Sequence, residues 1–235
     1  MRIGIGLGLT GLRGVPADPF ADLYGTGMGQ MPMLLDPQDA VMSGADVVSI
    51  PNKGGAGPAF NATATGTGIT RTGNLLNVTT GLVGLQLANA ADLVGTRLFV
   101  VAAYPAGGGD TPRLFGRNST NLGRVQVSTG QMLLVRDGVP TGLAGSPPGT
   151  ALRLFEIEIA GGTARYWIDG VAYGTVSTAL PEFLVTLLFT VGQTDGFVGL
   201  AGIIASVITG GSAALDPVML RVRQTIAARH GIAVA

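Results

Sequence analysis

Glu156 and Glu158 stand two residues apart in Phe155-Glu156-Ile157-Glu158-Ile159, and Arg165 and Trp167 follow at the same interval. In extended segments alternate side chains share a face, which puts the two carboxylates roughly 6.5–7 Å apart along a strand. That separation is compatible with two-carboxylate hydrolysis of a glycosidic bond. An aromatic plate beside charged groups also suits binding of a sugar ring. Trp167, Glu156, Glu158 and Arg165 are therefore the candidate ligand-binding residues. Catalysis is the weaker reading, because Arg165 falls opposite Glu158 as an ordinary cross-strand ion pair. The expectation is a non-enzyme with no catalytic residue. The chain has no cysteine and one histidine, His230. Cysteine-based metal or nucleophile chemistry is excluded, as is any site needing two histidines. No metal and no cofactor is expected. The loop carboxylates Asp110, Asp137 and Asp195 lack the spacing of a dedicated calcium loop.

These residues must be positioned by the stretch 151–177, which reads as three antiparallel strands. Phe155, Ile157 and Ile159 alternate with the glutamates, the period-2 pattern of a half-buried strand. Gly161-Gly162 stands where a hairpin loop needs positive φ. Folding back across it sets Ile159 against Ala164, Ile157 against Tyr166 and Phe155 against Ile168, one apolar face. The other face sets Glu158 against Arg165 and Glu156 against Trp167, and reads as a paired, outward face. A one-residue slip would mix the two faces, so the register is well specified. Asp169-Gly170 makes a second turn that returns Tyr173 opposite Tyr166.

Composition bounds the rest. At 235 residues the chain suits one large β domain, or a domain plus a small appendage. Net charge is zero and the pI about 6.6, which counts against an electrostatic nucleic-acid binder. Charged residues make up 12%, about half the usual share, and mean hydropathy is +0.45. Two explanations fit so little charge: a large two-sheet core with Gly-rich turns, or an exterior covered by other subunits and so a homo-oligomer. No apolar run reaches about 18 residues, so no membrane insertion by a helix is expected.

Residues 1–29 open the chain with glycine-interrupted apolar sequence. Gly6-Leu7-Gly8-Leu9-Thr10-Gly11 matches a dinucleotide-binding spacing, but Gly14, Pro16 and Pro19 forbid the helix it must open. Ile3, Ile5, Leu7 and Leu9 instead fall on one side of an extended arm that could add to a partner's sheet edge. Short strands then follow at Val47–Ile50, Leu75–Thr79, Val83–Leu87, Arg113–Arg117, Arg124–Ser128 and Met132–Arg136. Leu98–Tyr104, an almost continuous apolar run, reads as a central strand. Punctuation by Gly and Pro argues an all-β sandwich rather than alternating strands and helices. One helix closes the chain over 216–230, with Asp216 as cap, Pro217 in the first turn and Gly231 just past the end. Arg221 and Arg223 are expected near or on its exposed sides. His230 is expected as a cation favoured at the helix C-terminus.

Four segments in order carry a family resemblance. They are Met33-Leu34-Leu35-Asp36-Pro37-Gln38-Asp39, then Val47 to Gly57, then the hairpin Phe155–Gly174, then the closing Arg221–Ile232. Together residues 30–235 resemble the concanavalin A-like (laminin-G-like) jelly-roll domains of bacterial and phage surface proteins. The resemblance implies an all-β jelly-roll β-sandwich with one C-terminal helix. Relatives with that fold include glucanases with three acids on one strand, whereas Glu156-Ile157-Glu158-Ile159-Ala160 lacks the central and last acids. Asn52 stands where the family has an acid before the lysine, which counts against a calcium-holding or loop-tying role there. The glycine-rich opening is similar to virion proteins of tailed phages and gene transfer agents. It implies a structural or adhesive fibre, spike or decoration, assembled in the bacterial cytoplasm and displayed on the virion surface. The partners so implied are other virion proteins through residues 1–29 and a cell-surface glycan for host attachment. The rival reading is a free carbohydrate-binding module, and behind it a degenerate glycoside hydrolase.

Overall fold

A computed structural model describes residues 18–24, 30–79, 83–92, 94–103, 113–116, 124–128, 131–136, 139–142, 151–160, 162–177, 184–188, 199–209 and 217–235. The arm residues Ile3, Ile5, Leu7 and Leu9, the cap Asp216 and the loop acids Asp110, Asp137 and Asp195 lie outside them. Among the described residues the chain forms a jelly-roll β-sandwich of antiparallel strands with a C-terminal helix.

One sheet runs β15 (Val171–Ser177), β14 (Thr163–Ile168), β13 (Arg153–Ala160), β8 (Thr96–Ala103) and β17 (Gly199–Ile208). The far side of β17 is shared by β1 (Met33–Leu35) and β6 (Leu75–Val78). The second sheet runs β2 (Val41–Ser43), β3 (Asp46–Ile50), β4 (Ala62–Ala64), β7 (Leu85–Asp92) and β16 (Leu184–Leu188). It continues through β9 (Arg113–Gly116), β10 (Arg124–Ser128), β11 (Gln131–Arg136) and β12 (Val139–Gly142). β5 (Ile69–Thr72) pairs with β6 and touches β3, so this hairpin joins the two sheets at one side.

Side-chain alternation sorts residues into two apolar layers. Leu98, Val100 and Ala102 of β8 and Phe155, Ile157 and Ile159 of β13 enter the core between the sheets, with Leu85, Leu87 and Val185 from the other sheet. The opposite face of the same sheet is buried too. Phe99 and Val101 of β8, Leu154 of β13 and Ile203, Ala205 and Val207 of β17 meet Met219, Val222 and Ile226 of α2 (Pro217–His230). Phe20 and Leu23, before and within the short helix α1 (Ala21–Tyr24), join this layer. With both faces covered, β8 has no position for a solvated side chain, which is why its sequence is a run rather than an alternation.

The β13–β14 register is the expected one, with Phe155 opposite Ile168, Ile157 opposite Tyr166 and Glu158 opposite Arg165. The next turn is also the expected one, but the pairing of the strand after it departs from expectation. Asp169 and Gly170 take φ of +52° and +82°, as a primed two-residue hairpin turn demands. Yet Tyr166 pairs with Gly174, and Trp167 with Ala172, so Tyr173 is the extra residue of a β-bulge rather than the partner of Tyr166. The bulge shifts the register of β15 on β14 beside the candidate residues. Asp169 also fastens the turn to β13, accepting the Leu154 N–H at 2.8 Å and pairing with Arg153 at 2.6 Å.

α2 ends as its glycine implies. Gly231 has φ of +66°, and the N–H groups of Gly231 and Ile232 donate back to the carbonyls of Ala228 and Ala227. His230 then lies on β17 over Gly202, where an added Cβ would stand 2.6 Å from the imidazole Cε1. Glycine is needed there to let helix and sheet approach.

Candidate functional site

The four predicted residues do come together, on the face of the β13–β14–β15 sheet that α2 partly covers. The expectation of an outward face is corrected at its centre. Glu156 and Glu158 are each 0% exposed. Two cations outside the four candidate residues pair with them: Arg97 from the start of β8, and Arg223 from α2.

The network is built bond by bond. Arg223 donates from Nε to Glu156 Oε1 at 2.5 Å and from its terminal nitrogen to Oε2 at 3.0 Å. Arg97 donates to Glu158 Oε2 at 2.7 and 3.0 Å and reaches Glu156 Oε2 at 3.5 Å. Arg165 donates to Glu158 Oε1 at 3.3 Å. All four carboxylate oxygens are therefore taken. Buried carboxylates require this, because an unpaired charge in a dry site costs several kcal/mol. The arrangement leaves neither glutamate free to move a proton to or from a substrate. Helix α2 does not bury the whole face: Arg165 keeps 32% of its side chain exposed, and Trp167 is half-buried.

Trp167 has a defined bed. The guanidinium carbon of Arg97 lies 4.0 Å from the centroid of its ring, a cation–π stack made stiff because Arg97 is tied to both glutamates. On the strand beyond, Ala172 and Thr175 lie opposite Trp167 and Arg165, and both are exposed. An indole with a fixed underside, a forked cation two residues along and a low rim is thus presented at the edge of the helix-covered layer.

Sequence reasoning had signals for the two missed cations. Arg97 directly precedes an apolar run whose strand is central. Arg223 is four residues after Met219 and three before Ile226, which places it on the apolar side of the helix rather than the exposed side first assigned. Arg221 does face outward, pairing with Asp22 at 2.9 Å. The charge on one helix turn therefore splits between a buried and an exposed role.

Two further polar clusters brace the sandwich away from these residues. Asn52 accepts the N–H groups of Leu34 at 2.7 Å and Gly54 at 3.0 Å, and donates to the carbonyls of Pro32 and Gly57 at 3.0 Å each. Contrary to expectation this side chain does tie the loop, and an ionised acid could not make the bonds to the carbonyls, which need an amide donor. Lys53 beside it pairs with Asp39 at 2.7 Å. At the end of α2, Asp36 pairs with Arg229 at 2.6 Å and caps the turn beginning at Pro37. His230 has Asn74 Nδ2 3.3 Å from its Nδ1 and the Ile203 N–H 3.4 Å from its Nε2. Burial, and then the charge of Arg229, hold it below the usual histidine range, with Asp36 acting in the other direction. The cation expected at this position is thus disfavoured, because burial and the adjacent Arg229 charge outweigh the attraction of the helix end and of Asp36. Among the described residues no three or more His, Asp or Glu side chains gather as metal ligands.

No family model matches the chain, and no curated protein matches it. Solved structures do. The chain is similar to domain 4 of AbnA, a GH43 extracellular arabinanase from Geobacillus stearothermophilus, in complex with arabinotriose, with TM-score 0.59 and 12% identity over 83% of this chain and 98% of that one. It is similar to Trypanosoma rangeli sialidase in complex with sialic acid, with TM-score 0.58 and 10% identity over 88% of this chain and 34% of that one. It is also similar to the binding domain of Paraclostridial Mosquitocidal Protein 1, with TM-score 0.51 and 11% identity over 82% of this chain and 51% of that one. At these identities the likeness is one of fold. The chain spans the whole of the arabinanase domain but about a third of the sialidase.

Proposed function

We propose that this chain is a non-catalytic carbohydrate-binding β-sandwich, and that Trp167 and Arg165 form its sugar-contacting rim. The observation that carries the reading is the half-buried Trp167 held from below by Arg97, with Arg165 beside it and exposed Ala172 and Thr175 opposite. A rigid indole at a low edge offers a sugar ring an apolar platform, and the neighbouring guanidinium and hydroxyl offer hydrogen bonds. Glu156 and Glu158 serve this site from beneath, by fixing Arg97. The similarity to domain 4 of the arabinanase, in complex with arabinotriose, supports the same reading.

Residues 1–29 would tether the domain to a phage-like particle and present it to a cell-surface glycan. That part of the proposal rests on the alternation of Ile3, Ile5, Leu7 and Leu9 and on the charge-poor composition.

The test is a glycan array with the full chain and its Trp167→Ala variant, with near-ultraviolet circular dichroism to confirm that both are folded. Selective binding that disappears in the variant is the expected result. Binding that survives the substitution, or none to any glycan, overturns the proposal. So would release of reducing ends from any polysaccharide on a broad panel, if Glu156→Gln abolished it.

A further inference from the structure

We infer that the saccharide taken by this site is acidic, carrying a carboxylate, and that Arg165 is the residue that selects it; the inference rests on the sugar-binding reading above. It comes from the charges of the network. Arg97, Arg165 and Arg223 supply three positive charges, and Glu156 and Glu158 supply two negative ones, so one positive charge is left over among the described residues.

Geometry says where the surplus resides. Arg223 holds Glu156 through two bonds, and Arg97 holds Glu158 through two bonds of 3.0 Å or less. Each buried carboxylate is thus matched by a buried guanidinium, and Arg97 and Arg223 are 4% and 5% exposed at the side chain. Arg165 is the outlier. Its single hydrogen bond among the described residues, 3.3 Å to Glu158, is long for a charge-assisted bond. A guanidinium has five N–H donors in a planar fork, so most of this one is unspent on the described residues. Its side chain is also the most solvent-accessible of the five.

A carboxylate is the chemical complement of such a group, since two parallel N–H···O bonds match the fork. The position fits as well. Arg165 and Trp167 are alternate residues of one strand, about 6.5–7 Å apart on the same face. A ring stacked on the indole would bring a substituent carboxylate to the guanidinium, with the Thr175 hydroxyl opposite it across the strand pair. Free sugar acids and acidic termini of longer glycans share this chemistry.

The experiment is calorimetric titration of the full chain with 3′-sialyllactose and trigalacturonic acid, against lactose and arabinotriose as neutral counterparts, at low and at high salt. The acidic probes should bind at least about tenfold tighter, the gain of one charge-assisted pair. That preference should shrink with salt. It should collapse in Arg165→Gln and persist in part in Arg165→Lys, which keeps the charge and loses the fork. If only one acidic probe binds, its class of sugar acid is identified. Equal affinity for acidic and neutral sugars overturns the inference and leaves the sugar-binding reading standing. No binding to any of the four, with a blank array, overturns both. An acidic preference that survives Arg165→Gln removes Arg165 from the role.

Discussion

Replacing Glu156 by leucine isolates what the buried network contributes. Glu156 is the sole anion bonded by Arg223 among the described residues, through contacts of 2.5 and 3.0 Å, and both groups are buried. Removing it strands a guanidinium that cannot rotate into water without lifting α2 from the sheet. Breaking one side of a buried pair costs about 3–5 kcal/mol. For a domain of this size each kcal/mol corresponds to roughly 2–4 °C in Tm, so Glu156→Leu should lower Tm by about 6–20 °C. The double variant Glu156→Leu with Arg223→Leu should recover most of this, because a buried ion pair replaced by apolar groups of similar volume is often neutral or stabilising by about 1–4 kcal/mol. Arg97 retains Glu158 and Trp167 in that variant, so it is not stranded in turn. The assay is a double-mutant cycle read by urea unfolding. A loss under about 1 kcal/mol for the single variant would mean that water reaches the strand, and that α2 does not cover it. A double variant no better than the single one would equally refute a direct pairing.

Acidification tests the other end of the helix. His230 is held below its ordinary value of 6.5, so between the lowered value and about 6.5 the unfolded chain binds the proton and the folded chain does not. Its contribution should therefore be fully present above about pH 6.5 and fall as the pH drops through that window, and His230→Gln should flatten this part of a stability-against-pH curve. In the loop after β3, Asn52→Ala should cost about 2–4 kcal/mol by orphaning backbone groups of Pro32, Leu34, Gly54 and Gly57. Asn52→Asp should fare no better than alanine, because it sets a carboxylate oxygen against the Pro32 and Gly57 carbonyls; a shift in urea midpoint at constant slope checks both.

The sequence by itself determined the parts of this protein that depend on neighbours in the chain. Alternation in 155–159, positive-φ residues at Gly162 and at Asp169-Gly170, and the apolar run from Leu98 each act over a few residues. They led to the right β13–β14 register, the right turns and a central β8. Gly231 likewise marked the end of α2. Period-2 alternation states which side chains share a face, but it does not state what covers that face. Glu156 and Glu158 were legible as a pair on one side of a strand. Their burial was decided by Arg97, about 60 residues earlier in the chain, and by Arg223, 67 residues later than Glu156. The Tyr173 bulge depended on how β15 pairs at the sheet edge, and the lowered pKa of His230 on its burial where α2 approaches Gly202. In each case the deciding contact joins elements distant in sequence. A local pattern cannot encode such a contact, because its free energy exists only once both elements have packed. Trp167 shows the same division. Its face and its neighbour Arg165 follow from strand spacing alone, whereas the guanidinium beneath its ring comes from the tertiary fold.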